Sequence, residues 1–496
     1  MNLYWGDLHS HCSISYGHGT VAQALARAKQ QLDFCSVTGH AFWPDMPSDR
    51  EQYAEIIDYH REGFARLANN WPSLLEQQAS ATQEHEFIAF PSYEWHSLEY
   101  GDHNVYSQSP DLALEDAPNV ADLRQLAHNH GNIAIPHHIG YHKGYRGINW
   151  DAYDETASPF VEIFSLHGCS LNDDAPYPML HDMGPRDWGS TAEAGWARGY
   201  RFGIVGGTDH HAAYPGSHGD GRMAVMGKQL TRASLWEAFH ARRVYAVTGD
   251  KIEAQLEVDG SPIGSSIHRP GLRQVFVRVN GVDALNTIEL RKNGRPYKTW
   301  APVHQSPSNS SSHRLRIHWG WGKKNERTDW ALKLTLSEGC IESVDTHFSG
   351  QAIVSRQADG DGENAAEASL PHELLECTER SLTLKSTTQG NLSMRHETTQ
   401  GISLKLKAPL HSTVQLEVNG QQHSHRLESL EHRARTHFMR GWLSEAVRIG
   451  PLIPESECRF ETSFKDEPAE EIDRYQLNVS QRNGQWAWLT PIWVQQ

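Results

Sequence analysis

The chain is 496 residues long with a formal net charge of −16, too long for one ordinary core, so two or three domains are expected. Its apolar fraction is that of a folded globular protein, which excludes wholesale disorder. The acidic balance argues against nucleic acid as a main partner, since such surfaces draw affinity from phosphates through Lys and Arg.

The start "MNLYWGDLHS" has no basic segment followed by an apolar run, and no apolar stretch is long enough to span a bilayer, so neither a signal peptide nor a membrane partner is expected. Six scattered cysteines without C-x-x-C pairing fit free thiols in a reducing compartment, and a cytoplasmic location is the expectation. Histidine is the unusual residue. Of 31 histidines, 19 precede residue 251, many beside Gly, Asp or another His.

The first strand runs into "GDLHSHCSISYGHGT" from Gly6, which gathers His9, His11 and His18 behind Asp7. "TVAQALARAKQQ" has the composition and spacing of a helix, and "LDFCSVTGH" reads as a buried strand ending at His40. "HEFIAFPSYEW" is a strand carrying Glu94, with His103 following in "GDHNVYS". "NVADLRQLAHNHG" is a helix closed by Gly131, and "NIAIPHH" a strand ending in His137 and His138. "PFVEIFSLHG" is a strand with Glu162 and His167, and "TAEAGWARG" a helix ending at Gly199. "YRFGIVGGTDHH" is a strand ending in Asp209, His210 and His211, and "TRASLWEAFHARR" a helix.

Alternating strands and helices imply an α/β fold, here a barrel over residues 1–250, with polar clusters at the strands' carboxyl ends where such folds build active sites. Past about residue 250 the texture changes. "RQVFVRVNG", "WALKLTLSEG", "ISLKLKAPL" and "TVQLEVNG" alternate apolar and polar residues between turns, the pattern of an all-β region over 251–496 with one or two sandwich-like modules. "HQSPSNSSSH" and "RQADGDGENAAEAS" read as exposed loops, and "EHRARTHFMRGWLSEAVRIG" as room for a short helix. "RYQLNVSQRNGQWAWLTPIWV" reads as a hairpin turning at Asn483 and Gly484.

Residues two apart on a strand share a face, so His9 and His11 can reach one point, with Asp7 on the same face as a ligand or as a group that orients one. His40, Glu94, His103, His137 or His138, and Asp209 with His210 or His211 recur at other strand ends. Imidazoles with carboxylates suit zinc, manganese or iron, and a carboxylate such as Glu94 can bridge two ions.

The motifs "DLHSH", "SVTGH", Glu94, "IPHH" and "GGTDHH" resemble the PHP (polymerase and histidinol phosphatase) superfamily, most of all a bacterial branch with an appended C-terminal β region. The resemblance covers residues 5 to about 260, and the C-terminal half only at its two ends. It implies a distorted (β/α)7-type barrel with two or three divalent ions at its rim, hydrolysing phosphoesters. By position, His9, His11, Glu94 and Asp209 would hold one ion. Glu94, His103 and His137 would hold a second, and His18, His40 and His211 a third. Two departures stand out: Gly39 replaces the aspartate of a T-D-H motif, and His18 lies one position from the expected spacing. In "PHH" His137 is favoured as the ligand because it follows the strand like the usual H-P histidine.

Water held by such ions loses a proton near neutral pH, its pKa falling to about 7, and would attack phosphorus while the ions neutralise charge. His138 or His210 is the candidate general acid or base beside Asp209, and Lys143, Arg146 and Arg222 are candidate cations for an anionic small-molecule substrate. A metal-dependent phosphoesterase is the leading expectation. An amide or carboxylic-ester hydrolase using the same ions is the alternative, and a noncatalytic binding protein with an inactive barrel is the second. The oligomeric state has no signature in the sequence.

Overall fold

A computed structural model describes residues 1–302, 312–324, 326–351, 370–390, 399–431 and 433–496. Most of the loop 304–313 and the whole loop 356–369 expected from the sequence lie outside the described residues. Strand dominates the described residues, and five α-helices accompany it in the N-terminal half.

In chain order that half runs β1 (Asn2–Asp7), α1 (Val21–Ala28), β2 (Phe34–Cys35), β3 (Gly39–Phe42), α2 (Arg50–Ala81), β4 (Ile88–Ala89), β5 (Ser92–Trp95) and β6 (His103–Tyr106). It continues through α3 (Val120–His130), β7 (Ile133–Pro136), β8 (Phe160–Ser165), β9 (Gly168–Cys169), α4 (Ala192–Ala197), β10 (Gly203–Gly206), β11 (Arg222–Gly227), α5 (Arg232–His240) and β12 (Val244–Val247). Local chemistry sets the helix ends. Thr20 caps α1 in a reciprocal box with Gln23, Asn119 caps α3, and Gly131 ends α3 in the left-handed conformation.

Strand β1 pairs in parallel with β2, and β2 with β4. Strand β3 pairs in parallel with β5, and β8 with β10, whereas β5, β6 and β7 are mutually antiparallel. The other edge of β1 pairs antiparallel with β11, and β11 with β12. Hydrogen bonding among the described residues therefore divides these strands between separate sheets, with β7 beside β8 and β10 beside β12. Two segments read as single strands are interrupted: residues 32–40 hold β2 and the start of β3, which runs on to Phe42, and residues 85–95 hold β4 and β5.

The 32-residue helix α2, starting from an Asp49 cap, has no counterpart in the sequence reading. Its Leu67, Trp71 and Leu74 pack with Leu25, Leu123, Tyr93 and Trp95 in one core cluster, closing that side of the strands.

The C-terminal half attaches through the sheet itself. Strand β12 pairs antiparallel with Trp486–Leu489, the second arm of the hairpin that follows Ile472–Gln481 and turns at Asn483 and Gly484. The sheet that begins at β4 thus continues across residue 250 into the chain's last strands. A four-stranded sheet of Glu253–Val258, Ser261–Pro262, Arg273–Asn280 and Arg459–Asp466 shares one core with it, in which Tyr245 and Val247 meet Leu256, Val277, Leu477 and Leu489. Two five-stranded antiparallel sheets from residues 312–454 face each other around a second core of Leu315, Ile317, Leu332, Leu416 and Val447. The segment "EHRARTHFMRGWLSEAVRIG" is not helical: Arg435–Phe438 pairs with Glu445–Pro454 as adjoining strands, cross-strand pairing overriding local preference. No helix of the described residues is long and apolar enough to cross a membrane.

Candidate metal centre

His9 and His11 follow β1 on one face, as the strand period requires. His9 Nδ1 donates to Glu162 Oε2 at 2.8 Å, and His11 Nδ1 donates to the Thr38 carbonyl at 2.6 Å. Each bond fixes the tautomer, so both Nε2 lone pairs point inward. His9 Nε2 is 3.3 Å from Asp209 Oδ1, and His11 Nε2 is 3.1 Å from that oxygen and 3.4 Å from Glu94 Oε2. His211 Nδ1 donates to the Asp209 carbonyl at 2.9 Å, and its Nε2 faces His40 Nε2 at 3.3 Å. His137 Nε2 is 3.1 Å from Glu94 Oε1. Asp7 is not among the converging groups; its oxygens accept from the His9, Thr208 and Gly216 N–H groups and the Thr208 hydroxyl, tying three loops together.

These atoms fall into overlapping groups whose members lie within 4.8 Å of one another: His9, His11 and Asp209; His11, His40 and His211; His40, Glu94 and His96; Glu94, Asp102, His137 and His138; and His138, His167 and Asp209. All of these side chains are buried. His9 Nε2, His11 Nε2, Glu94 Oε2, His96 Nε2, His137 Nδ1 and His138 Nδ1 are buried without a hydrogen-bond partner. Of these, His9 Nε2, His11 Nε2 and Glu94 Oε2 face one another, a costly arrangement in a dry interior that a divalent cation would relieve. The 3.3 Å gap between His40 Nε2 and His211 Nε2 matches two imidazoles sharing a tetrahedral zinc, about 3.3 Å apart at the usual bond length. The residues present fit the ions that the family resemblance implies.

Electrostatics agree. Burial opposes ionisation of Glu94, but His96, His137 and His40 hold its carboxyl well below the ordinary range. Burial likewise opposes ionisation of Asp209, and His9, His11 and His167 outweigh it. Burial depresses His40, His137 and His211 well below the ordinary imidazole value, keeping them neutral donors. His9 is the exception: Asp209 and Glu162 overcome its burial and push its pKa well up, a proton that an incoming cation would displace.

Several sequence expectations need correction. His103 is not with Glu94: Glu94 pairs across the strands with Asn104, and His103 pairs with Trp95 on the other face. Its Nδ1 donates to the Gly101 carbonyl at 2.9 Å. His210 turns away, its Nδ1 accepting from the Ala212 N–H and its ring against Tyr214, while His211 joins the group. His18 is half-buried and meets His211 only through its backbone N–H, at 2.7 Å. Arg222 is fully buried, its guanidinium committed to the Gly216 and Gly249 carbonyls and to Gln31 Oε1, so it clamps loops together. Lys143 lies in an exposed pair with Asp151 at 2.8 Å. Arg146 alone of the three cations reaches the cluster, with Nε 2.8 Å from Asp102 Oδ2 and Nη2 2.9 Å from His96 Nδ1. Gly39 stands where the motif has aspartate because Leu67 of α2 fills the space: a Cβ there would lie 2.4 Å from Leu67 Cδ1.

His96 and Asp102 have no role in the sequence reading. His96 is two residues past Glu94, the same-face spacing that identifies His9 and His11, and Asp102 adjoins His103. His167 takes the Tyr141 hydroxyl on Nδ1 at 2.6 Å and meets Asp209 Oδ2 through Nε2 at 3.0 Å, so it orients that carboxylate.

No family model matches the chain. It is similar to uncharacterized proteins of Chlamydia muridarum, 28% identical over 200 residues (37% of this chain, 32% of that protein), and of Chlamydia pneumoniae, 25% identical over 264 residues (47% and 41%). The chain thus spans about a third to two-fifths of the length of the curated relatives it matches. Among solved structures it is similar to a two-domain protein from Bacteroides vulgatus containing a predicted PHP-like metal-dependent phosphoesterase, at a TM-score of 0.34 and 15% identity, over 60% of this chain and 85% of that one.

Proposed function

We propose that the chain is a metal-dependent hydrolase of small anionic phosphoesters, its N-terminal half a distorted barrel of the PHP kind. One observation carries the reading: buried imidazoles from β1, β3, β7 and the loop after β10 gather in overlapping groups around two ionised carboxylates, Glu94 and Asp209, and several of their nitrogens lack a partner. The motifs that resemble the PHP superfamily supply those same residues. His9, His11, Glu94 and Asp209 would hold one ion, Glu94 and His137 a second, and His40 and His211 a third. Zinc, manganese or iron suits these donors.

The ions would supply Lewis acidity and a nucleophile at neutral pH. The chain's own residues orient and move protons. Asp102 Oδ2, itself held by Arg146, accepts from His138 Nε2 at 3.2 Å and leaves His138 Nδ1 without a partner. Burial lowers the His138 pKa, so the ring is neutral and Nδ1 can take a proton and return it to a leaving group. The half-buried Arg146 guanidinium lies over the Trp43 ring at the cluster's edge, placed to meet a phosphoryl oxygen.

The test compares hydrolysis of an aryl phosphate, a phosphodiester, a carboxylic ester and an amide by protein stripped of metal and reloaded with manganese or zinc. Phosphoester turnover that needs the ion, and that is lost with ion content in Asp209→Asn and Glu94→Gln, is expected. Turnover of carboxyl derivatives alone would replace the bond assigned. Fewer than one ion per chain after reloading would point to the binding-protein reading.

A further inference from the structure

The two facing five-stranded sheets of residues 312–454 carry a histidine cluster of their own, outside the candidate metal centre. These sheets finish on edge strands, Gln421–Arg426 on one and Arg435–Phe438 on the other. His423 and His425 pair across the sheet with Leu416 and Val414, and His437 pairs with Val447. Those partners belong to the sandwich core. Paired residues share a face, so all three imidazoles point inward, where an edge strand would ordinarily carry apolar side chains.

They meet across the gap between the sheets. His425 Nε2 is 2.9 Å from His437 Nε2, and the His423 and His437 rings stack at 3.8 Å with 20° between their planes. His423 Nε2 is shielded from solvent and has no hydrogen-bond partner. Burial and the neighbouring rings lower the pKa of His425 and take that of His437 to about 4, so both are neutral donors at pH 7. Two neutral imidazoles can share one proton, but that arrangement leaves the third nitrogen buried and unsatisfied.

We propose that His423, His425 and His437 form a metal site that clips the two sheets together at their open edge and takes an imidazole-preferring divalent ion such as zinc. Three imidazoles with no carboxylate among them select a borderline transition ion over magnesium or calcium. The site fixes edge strands whose backbone would otherwise stand open to pairing, and it is independent of the hydrolase reading.

The experiment uses the full chain, stripped with chelator and titrated with zinc. Ion counts by elemental mass spectrometry should show one ion per chain fewer in His423→Gln/His437→Gln than in wild type. The same loss should appear in a Glu94→Gln/Asp209→Asn background, so failure of the hydrolase site leaves this result readable. Since the paired substitution could loosen the sandwich, hydrogen exchange of the wild-type chain supplies a second measurement. Zinc should slow exchange at least tenfold in peptides covering 421–426 and 435–438. Equal ion counts in variant and wild type, or zinc-independent exchange in those peptides, would overturn the site.

Discussion

Replacing Glu162 with glutamine probes the carboxylate behind His9. The two side chains are buried, and His9 Nδ1 donates to Glu162 Oε2 at 2.8 Å. Burial raises the Glu162 pKa to about 7 even with His9 opposing it, so the group is sensitive to any change in its partner. Glutamine keeps the shape and an oxygen acceptor, so the His9 tautomer survives, but the charge that makes its Nε2 a better donor is gone. Groups in this position are worth about 10–100-fold in metal affinity, or about 1.4–2.7 kcal/mol. The retained hydrogen bond puts Glu162→Gln near the lower figure, roughly tenfold, and Glu162→Ala near the upper, roughly a hundredfold.

Gly207 offers an independent route to the same bond. A Cβ there would lie 2.4 Å from Glu162 Oε2 and 2.8 Å from the His9 Cβ, so Gly207→Ala displaces the carboxylate with its charge intact. Two changes acting through one interaction should not add. The assay is zinc competition against a chromophoric chelator, with near-ultraviolet dichroism to confirm folding. Unchanged affinity in both variants, or losses that sum, would refute the reasoning.

Arg222→Met should cost roughly 3–5 kcal/mol of stability by stranding buried carbonyls, seen as a lower denaturant midpoint, with the KM of the folded enzyme unchanged; a raised KM at full stability would make Arg222 a substrate anchor. His103→Phe should leave ion content and turnover intact and cost about 1 kcal/mol for its hydrogen bond; losing an ion per chain would return it to the ligand set. Gly39→Asp, which restores the commoner motif, should destabilise the fold by about 1–3 kcal/mol or more through overpacking against Leu67, measured by thermal unfolding. A fully stable variant would contradict the packing of α2 on β3.

What the sequence made legible follows strand period and punctuation. His9 and His11 had to share a face, and Asn119, Thr20 and Gly131 mark helix ends by chemistry that acts within a few residues. His96 and Asp102 were hidden because they lie in the turn between β5 and β6, past the end of one strand and before the start of the next, where the sequence does not show how far strand alternation extends. His103 misled for a related reason: its strand pairs antiparallel with β5, and that register turns it away from Glu94. Arg222 reads the same on paper whether it faces solvent or two glycine carbonyls brought from distant loops. Helix α2 escaped because most of its faces are polar and Pro72 interrupts its pattern, its apolar contacts being few but large.

The pairing of Val244–Val247 with Trp486–Leu489 bears on how the molecule is made. Nearly half the chain must be synthesised between those partners, so on the ribosome the edge of β12 stays bare until the final strands emerge. A gene fragment cut near residue 250 would release a protein with that edge unpaired and sticky. Any expression trial of the N-terminal half should therefore co-supply the tail, or expect inclusion bodies.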